Sequence, residues 1–533
     1  MLIKKTGLLT KKNLFILLIV LFILYSFQLW RVAHNYSQSF RFGDEDAHMT
    51  GGYLLLKEYK LYKDFSVNHQ PSVYFFSAFV QKIFSPNTLY AFIGRHREMI
   101  FLYSYFWNLL LIYIFGPLMI FFTLIFEICK YWMLGNKVLS DPLAVYPFVL
   151  CFGIFIKRFL FNKSIKTLEI FLFSLSTFIV AFSLLPLWPS LFIINALLLL
   201  SNIKNRRLIV WQLISLILLL LIMFLFVPIA DYIKETIVYN YQYLLPNISR
   251  VRGLWGQLKI FFVPFTTLHL KPNNIELSVW FFLITYLLLT LTFIRTKRFL
   301  RWMIIIITIA LSNNRSATVV YGNFHMLPWL GSFFAIPTLS FIFLIKEVKK
   351  THYFRPFLYI IGLLFVSATI WLNFFGGILF NINNNLATEH HINYSDSVKY
   401  GLGIKAVKNK GDRVLAIPND MLVFWVSGTD LAVRPLESYH WQYLIPEYSD
   451  EIKEVLSNNP PEFILVHDSG LNSSMADKFF PEGLIADRLK QSYIRINHLG
   501  KPSHLFILKN RVATITNEQW QEFNYLLFEK PAI

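Results

Sequence analysis

The sequence predicts an α-helical polytopic membrane protein of about eleven transmembrane helices, followed by a soluble extracytoplasmic α/β domain. Of the 533 residues, 55% are hydrophobic and 15% are charged, whereas a soluble domain has about 25% charged residues. Long apolar runs alternate with basic clusters up to about residue 379, and the composition then becomes polar. The excess apolar surface of the first part must therefore face lipid.

The positive charge is interpreted as a topology signal. The formal net charge is +19, but most lysines and arginines lie in short clusters between apolar runs, where the positive-inside rule places them. We expect them to anchor anionic lipid headgroups, and we expect no nucleic-acid partner. Cys129 and Cys151 lie within or beside apolar stretches and give neither a disulfide framework nor a zinc-site spacing.

Five basic clusters mark the cytoplasmic side, at residues 4–12, 157–166, 204–207, 295–301 and 346–355. The apolar run that follows the first cluster is too long for a signal-peptide core and lacks a cleavage site, so we expect a retained helix. Successive clusters must be joined by an even number of crossings. The chain is thus expected to be a multi-pass protein of the plasma or inner membrane, with a cytoplasmic N-terminus.

The apolar runs predict eleven helices, near residues 13–33, 99–117, 118–134, 141–157, 167–186, 188–202, 208–229, 276–294, 302–312, 326–345 and 355–376. One more apolar run, at 255–270, is short and is interrupted by Pro264. A crossing there would break the parity, so this run is predicted to be interfacial or re-entrant.

The predicted domains are residues 1–379, with a long first outer loop at 32–98, and residues 380–533. Strand-like runs at Val414–Pro418, Phe463–Val466 and Leu505–Leu508, with a helical stretch at Ser449–Ser457, predict an α/β fold for the second domain. This domain also holds aromatic side chains that could stack on a sugar, although we expect most of them to pack its core. They are Trp425, Tyr439, His440, Trp441 and Tyr443.

The first outer loop contains three consecutive acidic residues, Asp44, Glu45 and Asp46, followed closely by His48. Helical spacing predicts that Asp44 begins an amphipathic helix on the membrane surface. Its apolar face would consist of Met49, Tyr53 and Leu56. Asp44 and Glu45 could simply cap this helix. Three acids beside a histidine exceed that need, and a carboxylate here could act as a general base on an acceptor hydroxyl or amine.

A family resemblance rests on this loop. Asp44-Glu45 heads a helix, and the loop continues through Leu61-Tyr62-Lys63-Asp64-Phe65 and His69-Gln70-Pro71. The pattern resembles polyprenyl-phosphate-sugar-dependent glycosyltransferases of the GT-C fold, in the family-39-like group of protein O-mannosyltransferases and aminoarabinose transferases. The resemblance spans nearly the whole chain in topology and is motif-specific at residues 43–76 and, less so, at 141–142 and 313–328.

The resemblance implies a GT-C-like fold and an enzyme. Its donor would be a polyprenyl-phosphate-linked sugar, its acceptor a lipid, a glycan or a protein on the extracytoplasmic face, and the transfer would be inverting. Asp44 would be the catalytic base, with Glu45 beside it. His69 and Gln70 stand where relatives carry a lysine that contacts the donor phosphate. Gln70 cannot supply that charge, and a protonated His69 could supply part of it.

The resemblance also implies roles for three residues outside the first loop. Asp141 would position an acceptor, while Arg315 and His325 would donate to the lipid phosphate. Other interpretations stay open at this point: Asp141-Pro142 is a common helix start, Arg315 could snorkel to headgroups, and His325 could fill an interface. Further basic residues of the outer side are weaker candidates for contacts with the phosphate, and they are expected instead to be surface anchors. They are Lys63, Arg95 and Arg97.

Metal dependence and some functional alternatives stay open as well. No cofactor is required by the sequence, although Asp44, Glu45 and Asp46 could bind a divalent metal. A transporter or flippase of a lipid-linked glycan would predict repeats and broken helices, whereas the acidic residues here are expected in loops. A non-catalytic scaffold would leave the Asp44 loop without a role, and a ligase-type transferase would place its key residues in a large late loop.

Overall fold

The computed structural model describes residues 11–248, 274–313, 323–347, 355–375, 385–417, 420–437, 440–466, 484–498 and 501–529. The chain divides into two compact units. We call the first the membrane unit; it comprises Met1–Tyr36, Arg97–Ile222 and Ser249–Asn383. We call the second the α/β unit; it comprises Ser37–His96, Met223–Ile248 and Asn384–Ile533.

The first half of the chain folds into α1 (Lys11–Asn35), α2 (Gly43–Leu56), α3 (Ser72–Phe84), α4 (Leu89–Phe115), α5 (Ile120–Cys129), α6 (Ser140–Phe155), α7 (Thr167–Ala181), α8 (Trp188–Ser201), α9 (Arg206–Phe226), α10 (Ile229–Ile233) and α11 (Leu245–Ile248). The second half contains α12 (Asn274–Arg295), α13 (Phe299–Leu311), α14 (Leu327–Glu347), α15 (Arg355–Ile370), α16 (Leu386–Val407), α17 (Leu422–Ser427), α18 (Pro446–Asn458), α19 (Leu484–Ser492), α20 (Lys509–Val512) and α21 (Asn517–Asn524).

Each of the eleven apolar helices predicted from the sequence has a counterpart here, namely α1, α4 to α9 and α12 to α15. Within the described ranges, six helices are long and apolar enough to cross a membrane. They are Leu89–Phe115, Ser140–Leu160, Arg206–Phe226, Leu277–Arg295, Phe324–Glu347 and Pro356–Asn373. The protein is thus a multi-pass membrane protein. The predicted interfacial run at 255–270 lies outside the described residues.

The centre of the membrane unit is formed by α6 and α14, which pack against each other. Their apolar stretches are 83% and 94% buried, whereas that of α9 is 22% buried. A helix that is apolar on every side suits the centre of a bundle, and α9 is left to face lipid. Gly331 permits the close approach, because a Cβ there would lie 2.3 Å from a methyl carbon of Val145.

The α/β unit contains one five-stranded sheet, formed by β1 (Arg413–Ile417), β2 (Asp430–Leu431), β3 (Phe463–Val466), β4 (Tyr493–His498) and β5 (Lys501–Leu508). The strand order is β2-β1-β3-β5-β4. The pairs β1–β2 and β1–β3 are parallel, and the pairs β3–β5 and β4–β5 are antiparallel. The predicted α/β domain is confirmed, and its three predicted strands match β1, β3 and part of β5.

Helices α2 and α3 form a tight pair in the same unit. A Cβ on Gly51 would lie 2.4 Å from the ring of Tyr74, and a Cβ on Gly52 would lie 2.4 Å from the hydroxyl of Ser77. The predicted membrane-facing side of α2 was wrong in part: Met49 is fully buried inside the protein, whereas Leu56 is 43% exposed. The reason is that α2 is packed within a folded unit, so burial follows its neighbours and not one lipid-facing side.

Segment Met223–Ile248 is attached to the rest of the α/β unit by a buried carboxylate. Glu235 accepts a hydrogen bond of 2.8 Å from Ser66 Oγ and a second one from the hydroxyl of Tyr448. Burial raises the pKa of Glu235, and the two hydroxyl donors lower it by a smaller amount. Three distant parts of the chain therefore meet at one side chain.

The α2–α3 contact predicts a cost for any side chain at position 52. We expect Gly52→Ala to destabilise the protein by about 1–3 kcal/mol, the usual range for overpacking, because its Cβ would also lie 2.7 Å from the backbone nitrogen of Ala78. The thermal unfolding midpoint in detergent measures this. Gly43→Ala is the control, since no atom lies within 4 Å of a Cβ there; equal midpoints for both variants would contradict the packing argument.

The raised pKa of Glu235 predicts a pH-dependent contribution to stability. The folded state holds this proton more tightly than the unfolded state, so stability is lost as pH rises from 4.5, the ordinary value, through the raised pKa. Glu235→Gln removes that loss. The unfolding midpoint of the variant, relative to wild type, should rise between pH 4 and pH 8. The exposed Glu454 provides the control Glu454→Gln, and a pH-independent difference for Glu235→Gln would refute the assignment.

Candidate active site

The three consecutive acids lie in the first turn of α2, and their side chains have different surroundings. The N-cap residue is Phe42, and it makes no side-chain capping hydrogen bond. Asp44 and Glu45 are therefore not the cap that one interpretation of the sequence allowed. Glu45 is fully buried, whereas Asp44 is partly exposed. The first turn thus offers Asp44, and not Glu45, to a ligand.

Asp46 is part of a buried ionic network. Arg41 donates to Asp46 at 2.6 Å and to Asp420 at 2.8 Å, and Ser397 donates to Asp420 at 2.6 Å. Burial raises the pKa of Asp46 to about 6, although Arg41 lowers it. This network joins the start of α2 to α16 and to Asp420, which follows β1. It therefore fixes the place where Asp44 lies.

Asp44 is grouped with His69 and Glu437. One oxygen or nitrogen atom from each of these three side chains lies within 4.8 Å of the other two. Asp44 and His69 are partly exposed, and Glu437 is fully buried. The structure therefore brings together two of the predicted site residues, Asp44 and His69, with one carboxylate that the sequence analysis did not select.

A short backbone pairing carries Glu437 to this place. The amide of Ser66 donates to the carbonyl of Arg434 at 2.7 Å, and the amide of Leu436 donates to the carbonyl of Ser66 at 3.1 Å. Ser66 and Pro435 are thus paired like neighbouring parallel strands. Because His69 and Glu437 follow closely on the two paired segments, the pairing sets the distance between them.

His69 and Gln70 are each fixed by a tyrosine. Tyr62 donates to the backbone carbonyl of His69 at 2.8 Å, and the ring of His69 lies edge-on to that of His48 at 4.6 Å. Gln70 is buried, and its Oε1 accepts a hydrogen bond of 2.8 Å from Tyr232. Both predicted residues therefore lie in one ordered loop beside Asp44.

The charges of this group suit a cation. Burial raises the pKa of Glu437 well above its usual range, and the nearby carboxylate of Asp44 raises it further. Two carboxylates and an imidazole are a donor set that Zn²⁺ uses in proteins. The group with the geometry to hold a metal in the described residues is therefore Asp44, His69 and Glu437, and Glu45 and Asp46 are not among its members.

Two more predicted residues meet in the membrane unit. Asp141 lies in the first turn of α6, next to Pro142, so the helix-start interpretation holds for this segment. Its Oδ2 also lies 3.8 Å from Nδ1 of His325, and both side chains are almost completely buried. A carboxylate and an imidazole at this depth are costly unless they have a function or a partner. The predicted Arg315 lies outside the described residues.

A buried acidic residue within a helix of the membrane unit was not expected from the sequence. Glu127 of α5 pairs with Lys130 and accepts hydrogen bonds from Asn108 at 2.6 Å and Tyr146 at 2.5 Å. The expectation that acidic residues lie only in loops was therefore wrong. The apolar residues around Glu127 concealed it, because a single charged residue does not end an apolar run that is long enough to form a membrane helix.

The remaining basic candidates differ from one another in exposure. Lys63 is exposed, and Arg95 is exposed with its guanidinium 5.6 Å from the ring centroid of Phe84, as expected for surface residues. Arg97 is 1% exposed, so its interpretation as a surface anchor was wrong. A buried guanidinium needs partners inside the protein, and a basic residue beside an apolar run gives no sequence signal for that.

The aromatic residues of the C-terminal part mainly pack, in agreement with the prediction. Trp425 lies on the ring of Phe92 at 4.4 Å, Trp441 is buried in a small aromatic cluster, and Tyr443 packs on the core of the sheet. Tyr439 and the side chain of His440 lie outside the described residues. The described aromatic residues of this set are therefore core residues of the α/β unit.

Three residues of the site region were missed, namely Glu437, Arg41 and Tyr232. Glu437 and Tyr232 reach the region through tertiary contacts, and Arg41 lies three residues before Asp44 in a local sequence that did not mark it. Only Glu437 could have been suspected from the sequence. It lies in the short stretch that follows β2, where a glutamate has no evident role in a strand or a helix. That signal does not identify its partners.

Comparison with known proteins gives the fold. No protein-family profile matches the sequence, and no curated protein matches it. Among solved structures, ArnT from Cupriavidus metallidurans, in a crystal structure with bound undecaprenyl phosphate, is similar with a TM-score of 0.55 and 11% sequence identity. The match covers 93% of this chain and 98% of that chain. The chain therefore has the predicted GT-C fold, which it shares with ArnT over nearly its whole length.

Proposed function

We propose that the protein is a GT-C-type glycosyltransferase that transfers a sugar from a polyprenyl-phosphate-linked donor to an acceptor on the extracytoplasmic face. The observation that carries this proposal is the grouping of Asp44, His69 and Glu437 in a protein that has the fold of ArnT, a neighbour bound to undecaprenyl phosphate. A carboxylate at the accessible end of a buried polar group is suited to proton abstraction.

In the proposed reaction, Asp44 takes the proton from the acceptor hydroxyl or amine. The acceptor atom forms a bond to the anomeric carbon of the sugar. The bond from that carbon to the phosphate oxygen breaks, and its electron pair leaves with the polyprenyl phosphate. Attack from the face opposite the leaving group inverts the configuration. Asp44 therefore has to be ionised and accessible, and its partial exposure satisfies the second condition.

Positive charge is needed where the phosphate departs. Gln70 replaces the lysine of the related enzymes, so we propose that a protonated His69 supplies part of that charge. Alternatively, a divalent cation held by Asp44, a neutral His69 and Glu437 would supply that charge in place of a protonated His69. In the membrane unit we propose that Arg315 and His325 donate to the lipid phosphate and that Asp141 positions the acceptor, as the resemblance implies.

The role of Asp44 predicts a loss of sugar transfer in Asp44→Asn. The amide keeps the size of the side chain but cannot take the proton, so the rate should fall by about 10²- to 10⁴-fold. The measurement is transfer by membranes that contain the protein, with a panel of radiolabelled polyprenyl-phosphate sugars. Asp64→Asn is the control, because Asp64 lies exposed in the same loop and accepts from the amide of Lys60.

Equal rates for wild type and Asp44→Asn at equal expression would remove Asp44 from catalysis. A wild type that is expressed and folded but transfers none of the sugars would overturn the glycosyltransferase proposal itself. In that case a transport or scaffold function would replace it.

The cation site predicts a metal-dependent gain in stability. A ligand that binds only the folded state raises the unfolding midpoint by mass action, so Zn²⁺ or Mn²⁺ should raise the midpoint of wild type. Glu437→Gln should lose most of that increase, because one of the two carboxylates is removed. Glu522→Gln, at an exposed position of α21, should keep it. The same increase in both variants would exclude Glu437 as a ligand.

A further inference from the structure

Two neutral hydrogen-bond donors beside the Asp44 group have no partner in the described part of the protein. They are the hydroxyl of Tyr74 and the Nε2 amide group of Gln70. Tyr74 is 0% exposed and Gln70 is 3% exposed. A buried polar group without a partner costs about 1–3 kcal/mol. One of these donors belongs to the residue after His69 and the other to a ring packed on His48, so they indicate that a ligand of the site completes them.

The position of Tyr74 is fixed by packing. Its ring lies edge-on to His48 at 5.4 Å and to Phe65 at 6.4 Å, and Gly51 leaves no room for a Cβ beneath it. Tyr74 lies in the first turn of α3. The hydroxyl therefore cannot turn away to find another partner without displacing the helix pair.

The carboxylates of the site lie close to this phenol. Burial is the largest cause that raises the pKa of Tyr74, and Glu437 and Asp44 raise it further. A phenol is protonated at neutral pH, so the Tyr74 hydroxyl can donate a hydrogen bond here. Both carboxylate oxygens of Glu437 also have no hydrogen-bond partner among the described residues. A hydroxyl group that accepts from Tyr74 can therefore also form a hydrogen bond with the carboxyl group of Glu437.

Gln70 is oriented as a donor by its other contact. Tyr232 donates to its Oε1, so the amide nitrogen is turned to the opposite side, with two N–H groups left to donate. A neutral amide is not the usual donor to a phosphate, because phosphate sites in proteins favour the positively charged side chains of arginine and lysine. The pair Tyr74 and Gln70 carries no charge.

We propose that Tyr74 and Gln70 form a subsite that donates hydrogen bonds to hydroxyl oxygens of the sugar carried by the lipid donor. This inference rests on the proposed glycosyltransferase function and names the class of sugar. A sugar hydroxyl both accepts and donates, so it satisfies Tyr74 or Gln70 and a carboxylate together. An ammonium group has donors only, so an amino sugar that presents its ammonium here leaves both protein donors unpaired. The subsite therefore recognises a sugar that presents a hydroxyl group to Tyr74 and Gln70.

The test uses Tyr74→Phe in the full-length protein, purified in lipid nanodiscs. The probes are undecaprenyl phosphate without sugar and undecaprenyl-phosphate-linked glucose, galactose and mannose. Wild type should bind at least one of the sugar-bearing lipids more tightly than undecaprenyl phosphate. Tyr74→Phe should reduce that preference by about five- to tenfold and leave the affinity for undecaprenyl phosphate unchanged.

Stability separates this role from a structural one. Because the Tyr74 hydroxyl has no partner in the described protein, Tyr74→Phe should leave the unfolding midpoint of the ligand-free protein unchanged or raise it. Tyr493→Phe is the matched control, since this buried tyrosine donates to the carbonyl of Pro461 at 2.6 Å. It should lower the midpoint and keep the sugar preference.

Several outcomes would overturn the subsite. They are a full sugar preference in Tyr74→Phe, a midpoint that falls as far as that of Tyr493→Phe, or a wild type without preference for any sugar-bearing lipid. Transfer by wild type that Asp44→Asn abolishes would keep the proposed function in each of these cases. A wild type that transfers no sugar would overturn the proposed function and the subsite together.

Discussion

The two backbone hydrogen bonds that join Ser66 to residues 434 and 436 are the contact on which the candidate active site depends. They bring a loop near the beginning of the chain to a segment near its end, and His69 and Glu437 follow on either side. Glu437 is buried next to another carboxylate, an arrangement that costs free energy. Such a carboxylate keeps its place only when the backbone that carries it is held by ordinary amide–carbonyl bonds, whose strength does not vary with pH.

Around this contact the α/β unit compensates its other buried carboxylates in two ways. Arg41 compensates Asp46 and Asp420, while Glu235 is compensated by hydroxyl groups alone. Both arrangements satisfy buried carboxylates with partners from the protein. Glu437 differs from them, because its oxygens have no hydrogen-bond partner in the described chain. This difference indicates that a ligand from outside the protein completes the hydrogen bonding at Glu437.

The sequence was sufficient for the architecture and for part of the site. Inside a bilayer the backbone has to form its hydrogen bonds within the helix. Each apolar run between basic clusters could therefore be predicted to be a helix. The strands β1 and β3 could be predicted equally well, because buried parallel strands are continuous apolar runs in the sequence. Asp44 was selected from three consecutive acidic residues and His69 from the resemblance to the glycosyltransferase loop, and the structure places both in one group.

Residues that act through tertiary contacts could not be found in this way. Glu437 is far from Asp44 along the chain, and only the pairing at Ser66 makes them neighbours. Arg97 and Glu127 lie in or beside apolar helices, where a single charge that is paired inside the protein looks the same in sequence as one that faces headgroups. Their burial depends on which helix packs beside them, and periodicity within one helix carries no information about that.

The glycine at position 51 has a consequence for how this site could change. Because the ring of Tyr74 rests directly on a residue without a side chain, the depth of the phenol in its site is set by the volume at a position that no ligand touches. A methyl group there would meet the edge of that ring and displace the phenol, with the chemistry of every polar group unchanged. A substitution at position 51 could then change the selectivity among sugars of different size. A comparison restricted to ligand-contacting residues would overlook it.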